Sequence, residues 1–299
     1  MHATALRTRE PAFSIKPGRS PLGAEVIGID LSQELDEVSF KELEASFYRH
    51  AVLVFRKQKI SPAQHVSFSR RFGELEIHVT DQFLLKDHPE IIVISNVLEN
   101  GRNIGVAEAG RVWHTDLSYV PKPSLGSLLY AIEVPQGNGQ PLGDTLFAST
   151  TAAYDALPES MRQRLHGLKA IHNFVGYNER VKEKTGAVRA PLTDEQKKKV
   201  PDVIHPVIRT HPYTGRKCLY VNDGLTVGIV GMPEDESNAL LKELCAHCVR
   251  PEFVYRHRWQ AGDLLMWDNT ATQHFAVRDY ALPQRRLMYR TTVAGSVPY

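Results

Sequence analysis

The chain contains very little cysteine: only Cys218, Cys245 and Cys248 occur among its 299 residues. A small, odd number argues against a secreted scaffold held by disulfides and is typical of a reducing compartment. Cys245 and Cys248 form a single CxxC pair, whereas a structural zinc site usually needs two further ligands at similar spacing. The pair also falls on an amphipathic helical pattern at 236–249. We therefore interpret these residues as buried or half-buried thiols, with a metal or redox pair as the alternative.

Long apolar runs are also missing. The run from Ala51 to Phe55 is among the longest, and it is far too short to cross a bilayer. Residues 1–13 contain arginines but no apolar core of signal-peptide length. We therefore expect a soluble, cytoplasmic protein without a membrane partner.

Neither sign of charge dominates, because 36 Lys and Arg stand against 34 Asp and Glu, which gives a formal net charge of +2. The densest basic run, Lys197 to Lys199, follows two acidic residues and indicates a solvated helix face or loop. No basic block is long enough to predict a nucleic-acid partner. The hydrophobic fraction of 42% is enough for a sizeable core, and the length permits either one large domain or two small ones.

Short runs of β-type residues dominate after residue 90, and turn residues separate them. These runs predict strands at 91–95, 112–119, 127–134, 145–149, 204–210, 218–221, 253–259, 263–267 and 286–293. Helical patterns occur at 38–49, 61–72, 151–168 and 234–249. Strands and helices do not alternate regularly, which favours a sandwich or jelly roll over a parallel sheet. We predict a mainly β fold with flanking helices, of the α+β class, in a single domain spanning residues 1–299.

The polar stretch from Gly176 to Val203 interrupts this pattern. It contains Lys, Glu, Thr and Pro and shows little periodicity. A long insertion of this kind in a compact enzyme is often a mobile lid over the active site. An ordinary surface loop fits the sequence of this stretch equally well.

One segment among those that contain the thirteen histidines is informative, and it runs from Trp113 to Tyr119. On an extended strand, residues i and i+2 project to the same face, so His114 and Asp116 can bind one ion together. Their neighbours are aromatic or apolar, and an ionised carboxylate there is costly unless it is paired or coordinates a metal. An HxD pair is a weak pattern by itself, and a satisfied polar pair in a strand is the alternative. We set aside the competing pair of His88 and Glu90, which has a proline between its members.

His274 is the best candidate to complete a facial metal site, because it follows a predicted strand within the segment from Trp267 to Ala276. Two imidazoles and one carboxylate on one face of an octahedron leave three positions open. This is the ligand set of non-haem Fe(II) oxygenases. A zinc hydrolase could use the same three ligands.

If 2-oxoglutarate bound such an iron through its keto group and C1 carboxylate, its far carboxylate would need a fixed cation. Arginine suits this task because its guanidinium fork matches a carboxylate bidentately. By strand alternation, Arg286 and Arg290 share one face, whereas Arg285 points the other way. Thr145 could donate a hydroxyl to the same carboxylate. The alternative for Arg286 and Arg290 is surface charge on an edge strand.

Together these segments resemble the family of taurine dioxygenase and 2,4-dichlorophenoxyacetate dioxygenase. The landmarks occur in family order over residues 24–293 and are Phe72-Gly-Glu-Leu75, Trp113-His-Thr-Asp116, Gly143-Asp-Thr145, His211-Pro212, Trp267-Asp-Asn269 with His274, and Gln284-Arg-Arg286 through Arg290. The resemblance implies a double-stranded β-helix, or jelly roll, with helices packed outside. It also implies an enzyme that uses Fe(II), 2-oxoglutarate and O₂.

The resemblance further implies roles for individual residues of this chain. Iron would be held by three residues, His114, Asp116 and His274. The cosubstrate 2-oxoglutarate would be held by Thr145 and Arg286. Hydroxylation would occur at the substrate carbon next to a heteroatom, with release of succinate and CO₂.

The substrate side of the site shares features with both branches of the family. His78 falls where the taurine enzymes place a histidine that contacts the sulfonate, and Arg290 would lie between cosubstrate and substrate. Leu117 would offer its backbone N–H and an apolar wall. A tyrosine and an asparagine of the taurine enzymes are replaced by Asp81 and Gly110, which argues against taurine itself and predicts a roomier pocket. We expect a small anion, either an alkyl sulfonate or an aryloxyalkanoate, with the sulfonate slightly favoured by His78, which would add a second donor if it were protonated.

Two other interpretations remain open at this point. The chain could be a catalytically degenerate, ligand-binding member of the same fold, or a zinc hydrolase that uses the same two-histidine, one-aspartate site. The presence of all three ligand residues and both arginines favours the dioxygenase. Because members of this family often form dimers or tetramers, we also expect a homo-oligomer.

Overall fold

The structure is a computed structural model that describes residues 13–78, 81–185 and 193–299. Its strands are β1 Ser14–Pro17, β2 Ala24–Ile27, β3 Val52–Phe55, β4 Leu84–Leu85, β5 His88–Ser95, β6 Leu98–Glu99, β7 Arg102–Asn103, β8 Gly126–Glu133, β9 Gln136–Gly137, β10 Gln140–Pro141, β11 Thr145–Ser149, β12 Lys169–His172, β13 Val203–Pro206, β14 Ile208–Thr210, β15 Lys217–Leu219, β16 Thr226–Ile229, β17 Val254–His257, β18 Leu264–Asp268, β19 Thr272–Ala276 and β20 Leu287–Val293. Its α-helices are α1 Glu37–His50, α2 Pro62–Arg70, α3 Thr150–Asp155, α4 Glu159–Leu165, α5 Tyr177–Thr185, α6 Asp194–Lys199 and α7 Glu234–Cys248.

Two sheets form the centre of the fold. The major sheet has the strand order β1-β2-β3-β18-β8-β20-β5-β4, and a minor sheet has the order β17-β11-β19. Leu129, Leu265 and Met288 of the major sheet share one hydrophobic cluster with Phe147 of the minor sheet, so the two sheets pack face to face. This double layer is the predicted jelly roll, and the chain is mainly β with flanking helices, as predicted.

The other face of the major sheet is covered by α1 and α2. Phe40, Leu43 and Phe47 of α1 pack against Leu128 and Met266 in a second cluster. Because successive strand residues point to opposite faces, β18 contributes to both clusters and is buried along its whole length. The helix predicted at 61–72 forms as α2, with the predicted Ser61 cap extended to a capping box.

A third cluster lies beneath α7, whose apolar stripe of Leu240, Leu241 and Leu244 is buried. Cys248 continues this stripe and is fully buried, and Cys245 is half buried. The interpretation of these residues as packed thiols agrees with this environment. No helix within the described residues is long and apolar enough to span a membrane.

The strand predicted at 112–119 is wrong. His114 makes a single bridge to His274, and Asp116 already lies in a turn. The backbone of Leu117 is left-handed, with φ of 55°, which is incompatible with an extended strand. Two other predictions were too long, since the strand at 204–210 divides at Val207 and the helix at 151–168 is interrupted near Pro158.

The segment from Gly176 to Val203 is more ordered than its polarity suggests. It contains α5 and α6, and Tyr177, Val181 and Val200 are buried in a cluster with Tyr119. Residues 186–192, which belong to the predicted lid, lie outside the described residues.

Candidate metal centre

His114 and His274 lie side by side because their backbones form an isolated antiparallel bridge. The His114 amide donates to the His274 carbonyl at 3.2 Å, and the reverse bond is 2.9 Å long. The Thr115 hydroxyl donates to the Thr272 carbonyl at 3.0 Å and ties the same segments together once more. The two imidazole centroids are consequently 4.1 Å apart.

Asp116 joins the two histidines from the turn that follows the bridge. Its Oδ1 atom lies 3.7 Å from His114 Nε2 and 3.9 Å from His274 Nε2. All three side chains are buried, and their ligand atoms lie within 4.8 Å of one another. Within the described parts of the chain, this is the one group of His, Cys, Asp and Glu side chains close enough to share an ion, and it contains no cysteine.

Hydrogen bonds orient these ligand atoms. His114 Nδ1 donates to the Val112 carbonyl at 2.9 Å, so the lone pair of Nε2 is directed towards Asp116. The Ser127 hydroxyl donates to Asp116 Oδ2 at 2.8 Å, and Arg290 Nη1 donates to Asp116 Oδ1 at 3.1 Å. The carboxylate is therefore held in one orientation before any ion binds.

The charge state of the cluster suits a divalent cation. Burial would raise the pKa of Asp116, but Arg290 and the two imidazoles hold it well below its usual range, so the carboxylate is ionised. Burial and the neighbouring His114 lower the pKa of His274 well below its usual range. A neutral imidazole and an ionised carboxylate are the forms that bind metals, so these side chains fit an iron(II) ion.

A buried cation lies further along the same face of β20. Arg286 is only 4% exposed, and Nη1 donates to the Gly143 carbonyl at 2.7 Å. The other hydrogen bonds of the guanidinium go to the Met288 sulfur, a weak acceptor, at 3.1 and 3.3 Å. Among the described residues no carboxylate pairs with Arg286. A buried guanidinium without an acid partner fits an anionic ligand such as 2-oxoglutarate.

Aromatic side chains connect Arg286 to Thr145. The rings of Trp259 and Tyr280 lie 6.0 and 5.7 Å from the guanidinium carbon, and Trp259 Nε1 donates to the Thr145 hydroxyl at 2.9 Å. Gly143 allows this close packing, because a Cβ atom there would lie 2.6 Å from Arg286 Nη1. Its φ of +75° also favours glycine.

A cavity of about 400 Å³ opens beside the metal centre and is lined by both Asp116 and Arg290. Its walls are largely apolar and include Ile77, Leu84, Ile92, Leu117, Tyr119 and Val120. The Arg290 Nε atom is buried and makes no hydrogen bond. The cavity therefore offers a cation next to the metal centre and an apolar surface beyond it.

The remaining predicted substrate residues are divided between the cavity and other places. His78 lines the cavity, and burial and the Arg290 charge lower its pKa to about 4, so it is neutral at pH 7. Asp81 is exposed, and Gly110 packs behind the His114 ring, where a Cβ would lie 3.4 Å from Cε1. Neither Asp81 nor Gly110 belongs to the cavity lining.

Sequence reasoning missed two residues that hold this site. Ser127 fixes the Asp116 carboxylate, and Trp259 links Thr145 to Arg286. A serine at the start of the apolar strand β8 was the available signal for the first. Nothing in the local pattern of 253–259 distinguishes Trp259 from an ordinary core residue.

A jelly roll that buries two histidines and one carboxylate beside an unpaired arginine is the arrangement of a mononuclear non-haem metal oxygenase. The family model described as "Taurine catabolism dioxygenase TauD, TfdA family" matches residues 14–292. The chain belongs to this family, as its sequence motifs predicted.

Individual relatives agree with this membership. The chain is 36% identical to pentalenolactone F synthase of Streptomyces avermitilis over 94% of both chains. It is 35% identical to the alpha-ketoglutarate-dependent 2,4-dichlorophenoxyacetate dioxygenase of Cupriavidus pinatubonensis, over 90% of this chain and 93% of the relative. The crystal structure of AAD-2 in complex with Mn(II) and N-oxalylglycine superposes with a TM-score of 0.79 at 33% identity, over 96% of this chain and 98% of that one.

The reaction class follows from the family together with the buried ligand set. The chain is an Fe(II)- and 2-oxoglutarate-dependent dioxygenase, and O₂ is its second cosubstrate. This confirms the predicted enzyme class and its cofactors.

Proposed function

We propose that His114, Asp116 and His274 hold the iron, and that Arg286 and Thr145 hold the far carboxylate of 2-oxoglutarate. The observation that carries the second assignment is the buried Arg286 guanidinium, which has only a carbonyl and a thioether as acceptors. A bidentate carboxylate would satisfy the donors that now face sulfur.

The proposed substrate is a small organic anion whose head group binds Arg290. This side chain lines the cavity and contacts Asp116, and the cavity walls are largely apolar. An anion with an apolar body would match both surfaces. One relative is named for 2,4-dichlorophenoxyacetate, a small anion, and the family description names taurine, a zwitterion whose sulfonate is anionic.

With iron, 2-oxoglutarate and O₂ bound, the site supplies oxidative decarboxylation to succinate and CO₂ and insertion of one oxygen atom into a substrate C–H bond. The protein itself orients the reactants. Arg290 fixes the anion, which brings the carbon next to the heteroatom towards the metal centre. Leu117 and Tyr119 exclude water from that carbon, and the Ser127 bond keeps the Asp116 carboxylate in place.

Alkyl sulfonates and aryloxyalkanoates are equal candidates within this class. A neutral His78 can still donate one hydrogen bond to a head group, but it adds no positive charge. Without that charge, the slight preference for a sulfonate is not retained. The cavity volume of about 400 Å³ accommodates either type of substrate.

The decisive experiment measures succinate formed from 2-oxoglutarate with Fe(II), over a panel of alkyl sulfonates, aryloxyalkanoates and matched neutral amides. We expect anions to stimulate succinate release and Arg290→Ala to remove most of that stimulation. Arg285→Ala is the matched control, because Arg285 is exposed and pairs with Glu133 away from the cavity.

Each rival gives a different result in this assay. A zinc hydrolase would convert a substrate without consuming 2-oxoglutarate, and a degenerate binding protein would form no succinate with any compound. Preferred turnover of the neutral amides would refute the anionic substrate while leaving the reaction class intact.

Two further proposals concern the segment 176–203 and the assembly of the chain. We propose that residues 176–203 act as a lid, because Tyr177 and Val181 pack against Tyr119, which lines the cavity.

We also propose a homo-oligomer, a dimer or tetramer, without a nucleic-acid or membrane partner. Light scattering tests the assembly, and a monomeric mass would refute it.

A further inference from the structure

Arg209 of β14 is a buried cation that the proposed catalytic site does not use. It is 1% exposed and belongs to the largest fully buried side chains of the described residues. Its Nε and Nη1 atoms make no hydrogen bond, and within the described ranges no carboxylate forms an ion pair with it. The ring of Tyr220 lies 4.9 Å from the guanidinium carbon, and this cation–π contact offsets part of the desolvation cost.

Three polar side chains near Arg209 are neutral. Burial raises the pKa of the Tyr220 hydroxyl to about 12 although the adjacent Arg209 lowers it, so the hydroxyl remains protonated. Cys218 lies opposite Arg209 in the β14–β15 register, and burial raises the pKa of its thiol to about 12. The nearby His172 has a pKa lowered to about 3 by burial, so it is neutral, and its Nε2 atom makes no hydrogen bond.

The one buried acid in this region has other partners. Asp268 raises the pKa of Cys218, which indicates that it lies nearby. Its Oδ2 atom accepts from His211 at 2.6 Å, and its Oδ1 atom accepts from the amides of Thr270 and Ala271. Arg209 Nε and Nη1 make no hydrogen bond to it.

An uncompensated buried charge is costly, and a buried ion without a partner destabilises a protein strongly. A compensating acceptor must then come from solution. We propose that Arg209 and the Tyr220 hydroxyl bind a small inorganic monoanion of the halide type. This site is separate from Arg286 and Arg290, so it is independent of the proposed substrate.

The position of this cluster gives the anion a structural role. The His205 ring lies 5.7 Å from Tyr220, and its Nε2 bonds to the Val120 carbonyl at 3.1 Å. His172 Nδ1 lies 3.3 Å from the Ser118 hydroxyl. Both contacts reach the turn that follows Asp116, so the bound anion would stabilise the cluster that supports one wall of the cavity.

The test uses the full chain with bromide as the probe. Crystals grown or soaked in sodium bromide should show an anomalous peak within hydrogen-bonding distance of Arg209 and the Tyr220 hydroxyl. Replacing gluconate by bromide at constant ionic strength should raise the midpoint of thermal unfolding by about 2–4 °C, as expected for bromide in roughly tenfold excess over its Kd.

Three variants separate this site from general salt effects. Tyr220→Phe keeps the ring and removes one donor, so it should weaken bromide binding several-fold. Arg209→Met should abolish the bromide-dependent shift, and Tyr220→Phe still tests the site if Arg209→Met does not fold. Arg216→Gln removes an exposed arginine and should leave the shift unchanged.

Two results would overturn the proposal. One is the absence of an anomalous peak at Arg209, or density there that refines only as water. The other is an equal bromide-dependent shift in the wild type and in Tyr220→Phe.

Discussion

Arg286 and Arg290 lie on one strand face but have different electrostatic surroundings. Arg286 faces neutral acceptors, the Gly143 carbonyl and the Met288 sulfur. Arg290 faces Asp116 on one side and the cavity on the other. Arg286 is thereby suited to a ligand that brings its own charge, whereas Arg290 can be shared between a metal ligand and an anion.

Removal of the Arg286 guanidinium should weaken 2-oxoglutarate binding far more than substrate binding. A charge-assisted bidentate contact contributes about 1.5–3 kcal/mol, so Arg286→Ala should raise the Kd for 2-oxoglutarate roughly ten- to a hundredfold. Calorimetric titration of the Mn(II)-loaded protein measures this change. Arg285→Ala is the control and should bind normally, and equal binding by both variants would exclude Arg286 as the carboxylate partner.

Loss of any proposed ligand should remove metal binding while the fold persists. His114→Ala, Asp116→Ala and His274→Ala should each abolish succinate formation and tight Mn(II) binding, because two remaining ligands hold the ion poorly. Electron paramagnetic resonance of added Mn(II) measures binding, and circular dichroism checks the fold. His88→Ala, from the set-aside HxE pair, is the control. A variant with normal Mn(II) affinity would not have lost a ligand.

Residue-level prediction worked where a local rule applied. Strand alternation correctly separated the buried Arg286 from the exposed Arg285. It could not reveal that β20 lies between β8 and β5 inside the sheet, which excludes surface charge on an edge strand. The neutral state of His78 also escaped prediction, because its pKa depends on burial and on the Arg290 charge, which a sequence does not specify.

At the scale of elements, strands with strong β-type composition were predicted almost to the residue. The strand β11 matches its predicted bounds, and β20 begins one residue late. The segment 112–119 was wrong because its aromatic and apolar residues mimic a strand, whereas the left-handed Leu117 turns the chain. The short strands β12 and β16 were missed because four residues each give little periodicity.

The proposed lid makes an element-scale prediction about proteolysis. Residues 176–203 should be cut first under limiting trypsin, and bound 2-oxoglutarate with substrate should slow the cleavage, because the ligands would stabilise the packing of α5 against Tyr119. Mass spectrometry of the fragments identifies the site. Cleavage at equal rates with and without ligands would make this segment an ordinary surface element.

At the scale of the whole molecule, the core contains histidines that are neutral because they are buried. His65 is 1% exposed, and burial lowers its pKa to about 3. His172 is fully buried, and its pKa is also lowered to about 3. The unfolded chain therefore binds protons between about pH 6.5 and 3 that the folded chain does not bind.

This difference predicts acid sensitivity. Because the pKa values of these histidines are lowered in the folded state, their contribution to the free energy of unfolding is fully present above pH 6.5. This contribution falls as the pH decreases towards 3. Each such histidine contributes a slope of up to about 1.4 kcal/mol per pH unit. Urea unfolding between pH 7.5 and 4.5 measures it.

A single substitution checks the source of this slope. His65→Gln should make the decline shallower, and His166→Gln, at an exposed position, should leave it unchanged. Identical slopes in the wild type and His65→Gln would assign the acid sensitivity to other groups.

The contact between Arg290 and Asp116 couples two binding equilibria. An anion that engages Arg290 withdraws positive charge from Asp116, which makes this carboxylate a better donor to the ion. By thermodynamic reciprocity, the factor by which the bound anion raises the affinity for the metal ion must equal the factor by which the bound metal ion raises the affinity for the anion. Mn(II) titrations with and without an aryloxyacetate should therefore give a coupling factor above one, and Arg290→Ala should reduce it. The enzyme would then take up its two charged ligands as a cooperative pair.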